Sequence, residues 1–202
     1  HVRLGMVTAC GVPDIPVLLQ RFSREYPGID ITLVEDNSDA LIDKLCDGTL
    51  DLALIALNHK DPEGLELKVV ADEPFMAVVK FGEPLSKQET VGLGALEEHT
   101  LISMPVGSGI RSVLDETCTA ANVRPRIGLE ASNPQMLVEL ASRGLGVAIV
   151  PESTARANAD TVHALHIVNP RLRGRLAMAW RANGSRSTAA SALIEMAEGA
   201  PR

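Results

Sequence analysis

The stretch Ser132–Ser153, S-N-P-Q-M-L-V-E-L-A-S-R-G-L-G-V-A-I-V-P-E-S, decides the fold. Ser132 or Asn133 can cap a helix, because a short side-chain oxygen accepts the unpaired N–H groups of a first turn, and Pro134 suits that turn because it has no N–H to leave unpaired. Met136, Leu137, Leu140 and Ala141 recur at helical spacing and predict one buried stripe. Gly144 stands where the helix stops, and Val147–Val150 is a short apolar run, a buried strand ended by Pro151. The unit reads cap, helix, glycine, strand.

A second copy spans Asn37–Ala56, N-S-D-A-L-I-D-K-L-C-D-G-T-L-D-L-A-L-I-A. Here Ser38 takes the capping role, Leu41, Ile42 and Leu45 form the stripe, Gly48 is the stop and Leu52–Ile55 the strand. Each copy follows a Pro-led strand, Pro27 before I-D-I-T-L-V-E and Pro125 before R-I-G-L-E-A. Before each of these lies another helix, opened by a glycine-bearing loop after an apolar strand: R-L-G-M-V-T-A-C-G-V-P and T-L-I-S-M-P-V-G-S-G-I. A repeat of this size, seen twice, predicts two similar lobes rather than a solenoid.

The remaining pattern extends this alternation. Ile15, Leu18, Leu19, Phe22 and Tyr26 mark the buried face of a helix that ends before Pro27. Extended segments are expected over 65–70 and 75–79, separated by Asp72-Glu73-Pro74. In the second half the spacing predicts strands at 100–103, 126–130, 162–168 and 174–181, and helices at 110–121, 134–143 and 185–198. Strand alternating with helix throughout means an α/β architecture with largely parallel sheets.

Composition narrows the function. The 202 residues suffice for one large domain or two small ones, and the 46% hydrophobic content is ordinary for a globular chain. No apolar run approaches the roughly 20 residues needed to cross a bilayer, and no signal-like preface precedes the first strand. His1 suggests a fragment of a longer protein, although removal of a signal peptide would look the same. The net charge of −7 argues against this segment gripping nucleic acid itself, since phosphate contacts need a basic surface. Cys10, Cys46 and Cys118 are odd in number and show no C-x-x-C, which excludes a disulfide framework or a structural zinc site and fits free thiols in a reducing cytosol. Cys46 is expected to pack against the stripe of its helix.

In open α/β sheets a ligand sits beyond the carboxyl ends of strands, where glycine-bearing loops lead into helices. Both lobes place such loops: Thr8–Gly11 with Asn37-Ser38 in one, Pro105–Gly109 with Ser132-Asn133 in the other. Helix N-termini and hydroxyls converging there favour an anion, and a small carboxylate is the expected ligand. Each helix end contributes about 0.3–1 kcal/mol and each hydrogen bond to a charged ligand roughly 1.5–3 kcal/mol. Micromolar affinity needs about 8 kcal/mol, so the ligand should also carry an apolar body. Ser38, Ser108, Ser132 and Asn133 each have a plainer reading as helix caps, and Thr8 and Ser103 as partners of nearby backbone. Arg111, in a first turn where positive charge is unfavourable, reads as a solvated arginine ahead of a paired one, and Trp180 as core.

Catalysis finds no residues to carry it. V-G-S-G-I lacks the G-x-S-x-G spacing of a nucleophile elbow, and Gly144-Leu145-Gly146 enters a strand where a dinucleotide fingerprint would enter a helix. His1, His59, His99, His163 and His166 show no metal-ligand spacing. No catalytic residue, metal or cofactor is expected.

Together R-F-S-R-E-Y-P-G-I-D-I-T-L-V-E-D-N-S, L-C-D-G-T-L-D-L-A-L-I, the Ser132–Ser153 stretch and the late strand R-L-A-M-A-W-R resemble the effector-binding domain of LysR-type transcriptional regulators, over essentially residues 2 to 198. The resemblance implies a type II periplasmic-binding-protein-like α/β fold, two Rossmann-like lobes joined by two crossover strands. Lobe one would be 1–74 plus 172–202 and lobe two 75–171. It implies effector contacts at Thr8, Ala9 and Cys10 after the first strand, at Ser38, and in lobe two at Ser103, Ser108, Gly109, Ser132 and Asn133. It also implies an N-terminal winged helix-turn-helix domain that is absent from this chain, so that promoter DNA is a partner only through that domain. A cytoplasmic homodimer or homotetramer is implied, with RNA polymerase as a further partner and no membrane. In family dimers helix 14–26 and strand 30–35 pack against helix 110–121 and strand 126–130 of the second copy.

Departures qualify the transfer. Ala9 stands where many members carry a hydroxyl and Cys10 replaces bulkier polar choices, so the ligand's polar pattern does not carry over. Gly109 occupies the place of the reactive cysteine of peroxide-sensing members, and Cys118, matching its partner, cannot make that switch alone. Two other classes share the fold: a secreted solute-binding protein, and a prephenate-dehydratase-like enzyme, whose Thr-Arg-Phe motif is missing here.

Overall fold

Both copies of the repeat fold as cap, helix, glycine and strand. The computed structural model describes residues 1–7, 15–57, 61–183 and 187–198. The chain divides into two units, His1–Ala71 with Leu176–Arg202, and Asp72–Arg175.

The first unit contains β1 (Val2–Val7), α1 (Ile15–Glu25), β2 (Ile31–Asp36), α2 (Ser38–Cys46), β3 (Leu52–Leu57) and α6 (Thr188–Glu198), with parts of β4 (Leu65–Val79) and β10 (Arg173–Arg181). β1 runs parallel to β2, from Val2 opposite Ile31 to Val7 opposite Asp36, and parallel to β3. Alternation along β3 divides the core between its two faces, because successive side chains of a strand point to opposite sides. Leu52 and Leu54 join Ile15, Leu18 and Phe22 of α1 and Leu193 of α6. Ala53 and Ile55 face the other way and join Leu41 and Leu45 of α2. Trp180 is buried as expected, and its Nε1–H donates to Glu66 Oε2 at 2.7 Å.

The second unit adds β5 (Thr90–Gly92), β6 (Thr100–Ser103), α3 (Gly109–Ala120), β7 (Arg126–Glu130), α4 (Pro134–Ser142), β8 (Val147–Pro151), α5 (Glu152–Ala157) and β9 (His163–Val168). β6 is parallel to β7 and to β8. β4 is antiparallel to β8 and β9, and β9 is parallel to β5. The sheet is therefore mixed, with β4 antiparallel to both β8 and β9.

Helix ends follow the glycines. The Gly144 N–H donates to the Ala141 carbonyl at 2.9 Å and the Leu145 N–H to the Leu140 carbonyl at 3.2 Å. With Gly144 at φ +78°, this is the paired closure that glycine favours after a last turn. Gly48, at φ +83°, closes α2 in the same backbone conformation.

Three expectations need correction. Residues 65–79 form one continuous strand, although Asp72-Glu73-Pro74 suggested a break. Each polar group there has a partner: Arg173 bonds Asp72, and Glu73 accepts the N–H and hydroxyl of Ser153. The registers with β8 and β9 begin after Pro74, so its missing N–H interrupts neither ladder. In α4 the buried residues are Leu137, Val138 and Ala141, while Met136 is 46% exposed. At 3.6 residues per turn, Met136 lies about 150° from the centre of that arc. Cys46 is exposed rather than packed, being one residue past the buried Leu45 and so rotated off the stripe.

Candidate functional site

In the second unit β6 and β7 end side by side, with Ser103 opposite Glu130 and the Ala131 N–H donating to the Ser103 carbonyl at 3.2 Å. Parallel pairing brings both carboxyl ends to one sheet edge, so the loops into α3 and α4 leave from neighbouring points. Ser108 caps α3: its backbone is extended, and Oγ accepts the Arg111 N–H at 3.3 Å. Gly109 is the first residue of α3 and brings no side chain to that turn. Asn133 caps α4 through Oδ1, which accepts the Gln135 N–H at 2.8 Å. The choice left open between Ser132 and Asn133 thus falls to Asn133, and Ser132 is exposed beside it.

Ser103 is the singular member of this group. It is the one polar residue recorded as buried among those described, at 0% exposure, and its Oγ has no hydrogen-bond partner among the described residues. A buried hydroxyl without a partner costs roughly 1–3 kcal/mol, and such groups are rare unless something else satisfies them.

Arg111 corrects the solvated reading. Its side chain is 13% exposed, with Nε 2.9 Å from Asp115 carboxylate oxygens and Nη1 2.5 Å from Glu130 Oε1. Nη1 also donates to the Met104 carbonyl at 3.4 Å. Burial works against the charge, but the bonds to Glu130 and Asp115 outweigh it and hold the guanidinium above its ordinary pKa. One side chain thereby ties the loop after β6, the first turns of α3 and the end of β7. This clamp escaped the sequence reading, because nothing in G-S-G-I-R shows that Glu130 lies within reach.

In the first unit the cap is Asn37, not Ser38. Asn37 Oδ1 accepts the Ala40 N–H at 2.9 Å, whereas Ser38 is the first helical residue and its Oγ accepts the Ala56 N–H at 3.0 Å, joining α2 to the end of β3. Two adjacent capping-type residues were available, and β3, remote in sequence, decided between them. Asp36 accepts Lys44 Nζ at 2.6 Å and the Asn37 N–H at 2.9 Å, and these bonds hold its carboxyl below the usual carboxylate range. Thr8, Ala9 and Cys10 lie outside the described residues.

Each unit therefore presents serines whose oxygen already accepts one backbone N–H, at Ser38 and Ser108. A hydroxyl that accepts in this way keeps its O–H to donate, which is what an anion requires. No described group of three or more His, Cys, Asp or Glu side chains is placed to hold a metal.

Parallel strands running into capped helices, repeated in two units each built around its own sheet edge, define an α/β domain of the type II periplasmic-binding-protein kind. The chain belongs to the LysR substrate binding domain family, whose model matches residues 1–201. It is 30% identical over 200 residues to the HTH-type transcriptional regulator ShiR of Corynebacterium glutamicum (strain R), covering 97% of this chain and 67% of that one. It is likewise 30% identical over 156 residues to the transcriptional dual regulator GltC of Bacillus subtilis (strain 168), covering 76% of this chain and 51% of the relative. The chain spans about half to two thirds of the length of these curated relatives. Among solved structures it is similar to the effector binding domain of QuiR in complex with shikimate, with a TM-score of 0.84 at 24% identity over 97% of this chain and 94% of that one. The regulatory domain of Synechocystis PCC6803 CcmR in complex with 2-PG gives 0.85 at 22% identity, with the same coverage.

Proposed function

We propose that this chain is the sensing part of a LysR-type transcriptional regulator and that it takes a small, carboxylate-bearing effector. The fully buried Ser103 hydroxyl, without a partner among the described residues, carries the reading. The candidate contacts in the unit Asp72–Arg175 are Ser103, Ser108, Gly109, Ser132 and Asn133; Ser38, and by the family resemblance Thr8, Ala9 and Cys10, are the candidates in the other unit. Shikimate in the QuiR domain, a carboxylate, is in keeping with this choice. The named relatives are transcriptional regulators, which favours a sensor over a secreted solute-binding protein or an enzyme.

The effector acts by biasing an equilibrium between two states of the regulator. It can shift that equilibrium only by its difference in affinity for the two states. The change reaches promoter DNA through a winged helix-turn-helix domain outside this chain, in a homodimer or homotetramer, in the cytoplasm, with RNA polymerase as a further partner. Exposed Val17 on α1, Leu33 on β2 and Leu129 on β7 suit a contact between copies along those elements.

The test is a thermal-shift screen of small carboxylates, shikimate included, followed by calorimetry on the wild type and on Gly109→Trp. At least one carboxylate should stabilise the wild type, and the indole at position 109 should abolish its binding without dissociating the oligomer. Equal affinity in both proteins would remove the site from α3.

A further inference from the structure

A second hollow lies in the unit Asp72–Arg175, between α5 and the face formed by β4 and β9. Its volume is about 340 Å³, within the range of small-ligand sites, which begins at roughly 300 Å³. The floor is apolar: Met76, Ala155 and Val162 are all buried. Three of the lining residues are the alanines Ala155, Ala159 and Ala164, whose short side chains take little of that space.

The rim has a different character. Phe81, one of three phenylalanines in the chain, is 50% exposed there. Its ring stands edge-on to His163, with centroids 6.2 Å apart. His163 is held in place by Nε2, which donates to the Gln88 carbonyl at 2.6 Å. His166 and Arg156 complete the rim. The Arg156 side chain is 77% exposed and meets Glu152, the sole carboxylate of the lining, at 3.5 Å. That pair is long and solvated, so it holds the guanidinium weakly. Most of the guanidinium's N–H groups and the His166 imidazole are left around an apolar floor, with an aromatic edge beside them.

We propose that this hollow is a second binding site, for a flat aromatic carboxylate. The ring would lie on Met76 and Ala155 against Phe81, and the carboxylate would take a forked contact from Arg156, a geometry that arginine matches and lysine does not. The site shares no residue with Ser103, Ser108, Gly109, Ser132 and Asn133, and in the sheet β8 separates β4 from β6. It therefore stands or falls independently of the effector reading. A physical link joins the two regions of this unit: Gln135 in the first turn of α4 and Asn158 after α5 exchange two amide hydrogen bonds, at 2.9 and 3.1 Å.

The test titrates the whole 202-residue chain with 2-naphthoate, followed by calorimetry and by naphthoate fluorescence. Saturable binding is expected in the wild type and in Gly109→Trp. Arg156→Glu, a change at an exposed position, should weaken it at least tenfold, and Ala164→Trp should eliminate it. Absence of saturable binding would overturn the proposal. So would affinity unchanged in Arg156→Glu, or binding lost in Gly109→Trp alone.

Discussion

Arg111 Nη1 lies 2.5 Å from Glu130 Oε1, across 19 residues of sequence, and joins the first turn of α3 to the last residue of β7. A cation in a first turn works against the helix dipole, so the two carboxylates it meets must more than offset that cost. Arg111→Ala should lower stability by about 1–3 kcal/mol, the range for hydrogen bonds to a charged group that leave partners behind. Glu130→Gln made in the Arg111→Ala background should cost less than it does alone, since the pair is already broken. Urea unfolding of the four proteins gives the coupling directly, and strict additivity would contradict the clamp.

Ser103 leads to an inverted expectation. Removing a buried polar group normally destabilises, but this hydroxyl has no described partner to lose. Ser103→Ala should leave the ligand-free chain as stable as before, or more stable by up to about 1 kcal/mol. The same change should weaken a bound carboxylate at least fivefold. A clear loss of stability in urea would show that the hydroxyl is satisfied after all.

The cysteines should separate by reactivity. Cys46 is exposed and Cys118 buried. Burial first, then the nearby Asp115 and Glu97 charges, pushes the Cys118 thiol up to about 11 from an ordinary 9.0. At pH 8, iodoacetamide followed by peptide mass spectrometry should modify Cys46 long before Cys118, because only thiolate reacts. The sign for stability follows from the same shift. Below about pH 9 the thiol is protonated whether the chain is folded or unfolded, and its contribution is complete. Between pH 9 and about 11 only the unfolded chain gives up the proton, so stability falls as pH rises. Cys118→Ala should flatten that part of the pH–stability curve, and an unchanged slope would assign it to other groups.

Gly146 should tolerate no side chain. Its φ is +153°, and a Cβ there would stand 2.4 Å from the Thr100 carbonyl oxygen. Backbone cannot move aside as the end of a side chain can, so Gly146→Ala should destabilise by more than the ~1 kcal/mol that the same change can add at an unstrained glycine. Thermal unfolding would measure it. Gly94→Ala, where a Cβ meets nothing within 4 Å, is the control that should change little.

Much of the architecture was legible because it is local. A short polar cap before each helix, Gly48 and Gly144 as stops, and the apolar runs of β3 and β8 are set by hydrogen-bonding and steric rules acting over four or five residues. Their double occurrence was enough to predict two similar α/β lobes. The same rules located the serines and glycines at strand ends where a ligand would be sought.

What lay beyond reach was decided by neighbours distant along the chain. Ser38 lost the cap to Asn37 because the Ala56 N–H takes its oxygen, and Met136 turned outward because Leu137, Val138 and Ala141 fill the inward arc. Arg111 found Glu130 only because β6 and β7 pair in parallel, and Asp72-Glu73-Pro74 stayed extended because Arg173 and Ser153 meet its carboxylates. Local chemistry fixed which elements form and where they end. Packing fixed which of several chemically equivalent side chains does each job, since the free energy that separates them comes from contacts that exist only once the strands are side by side.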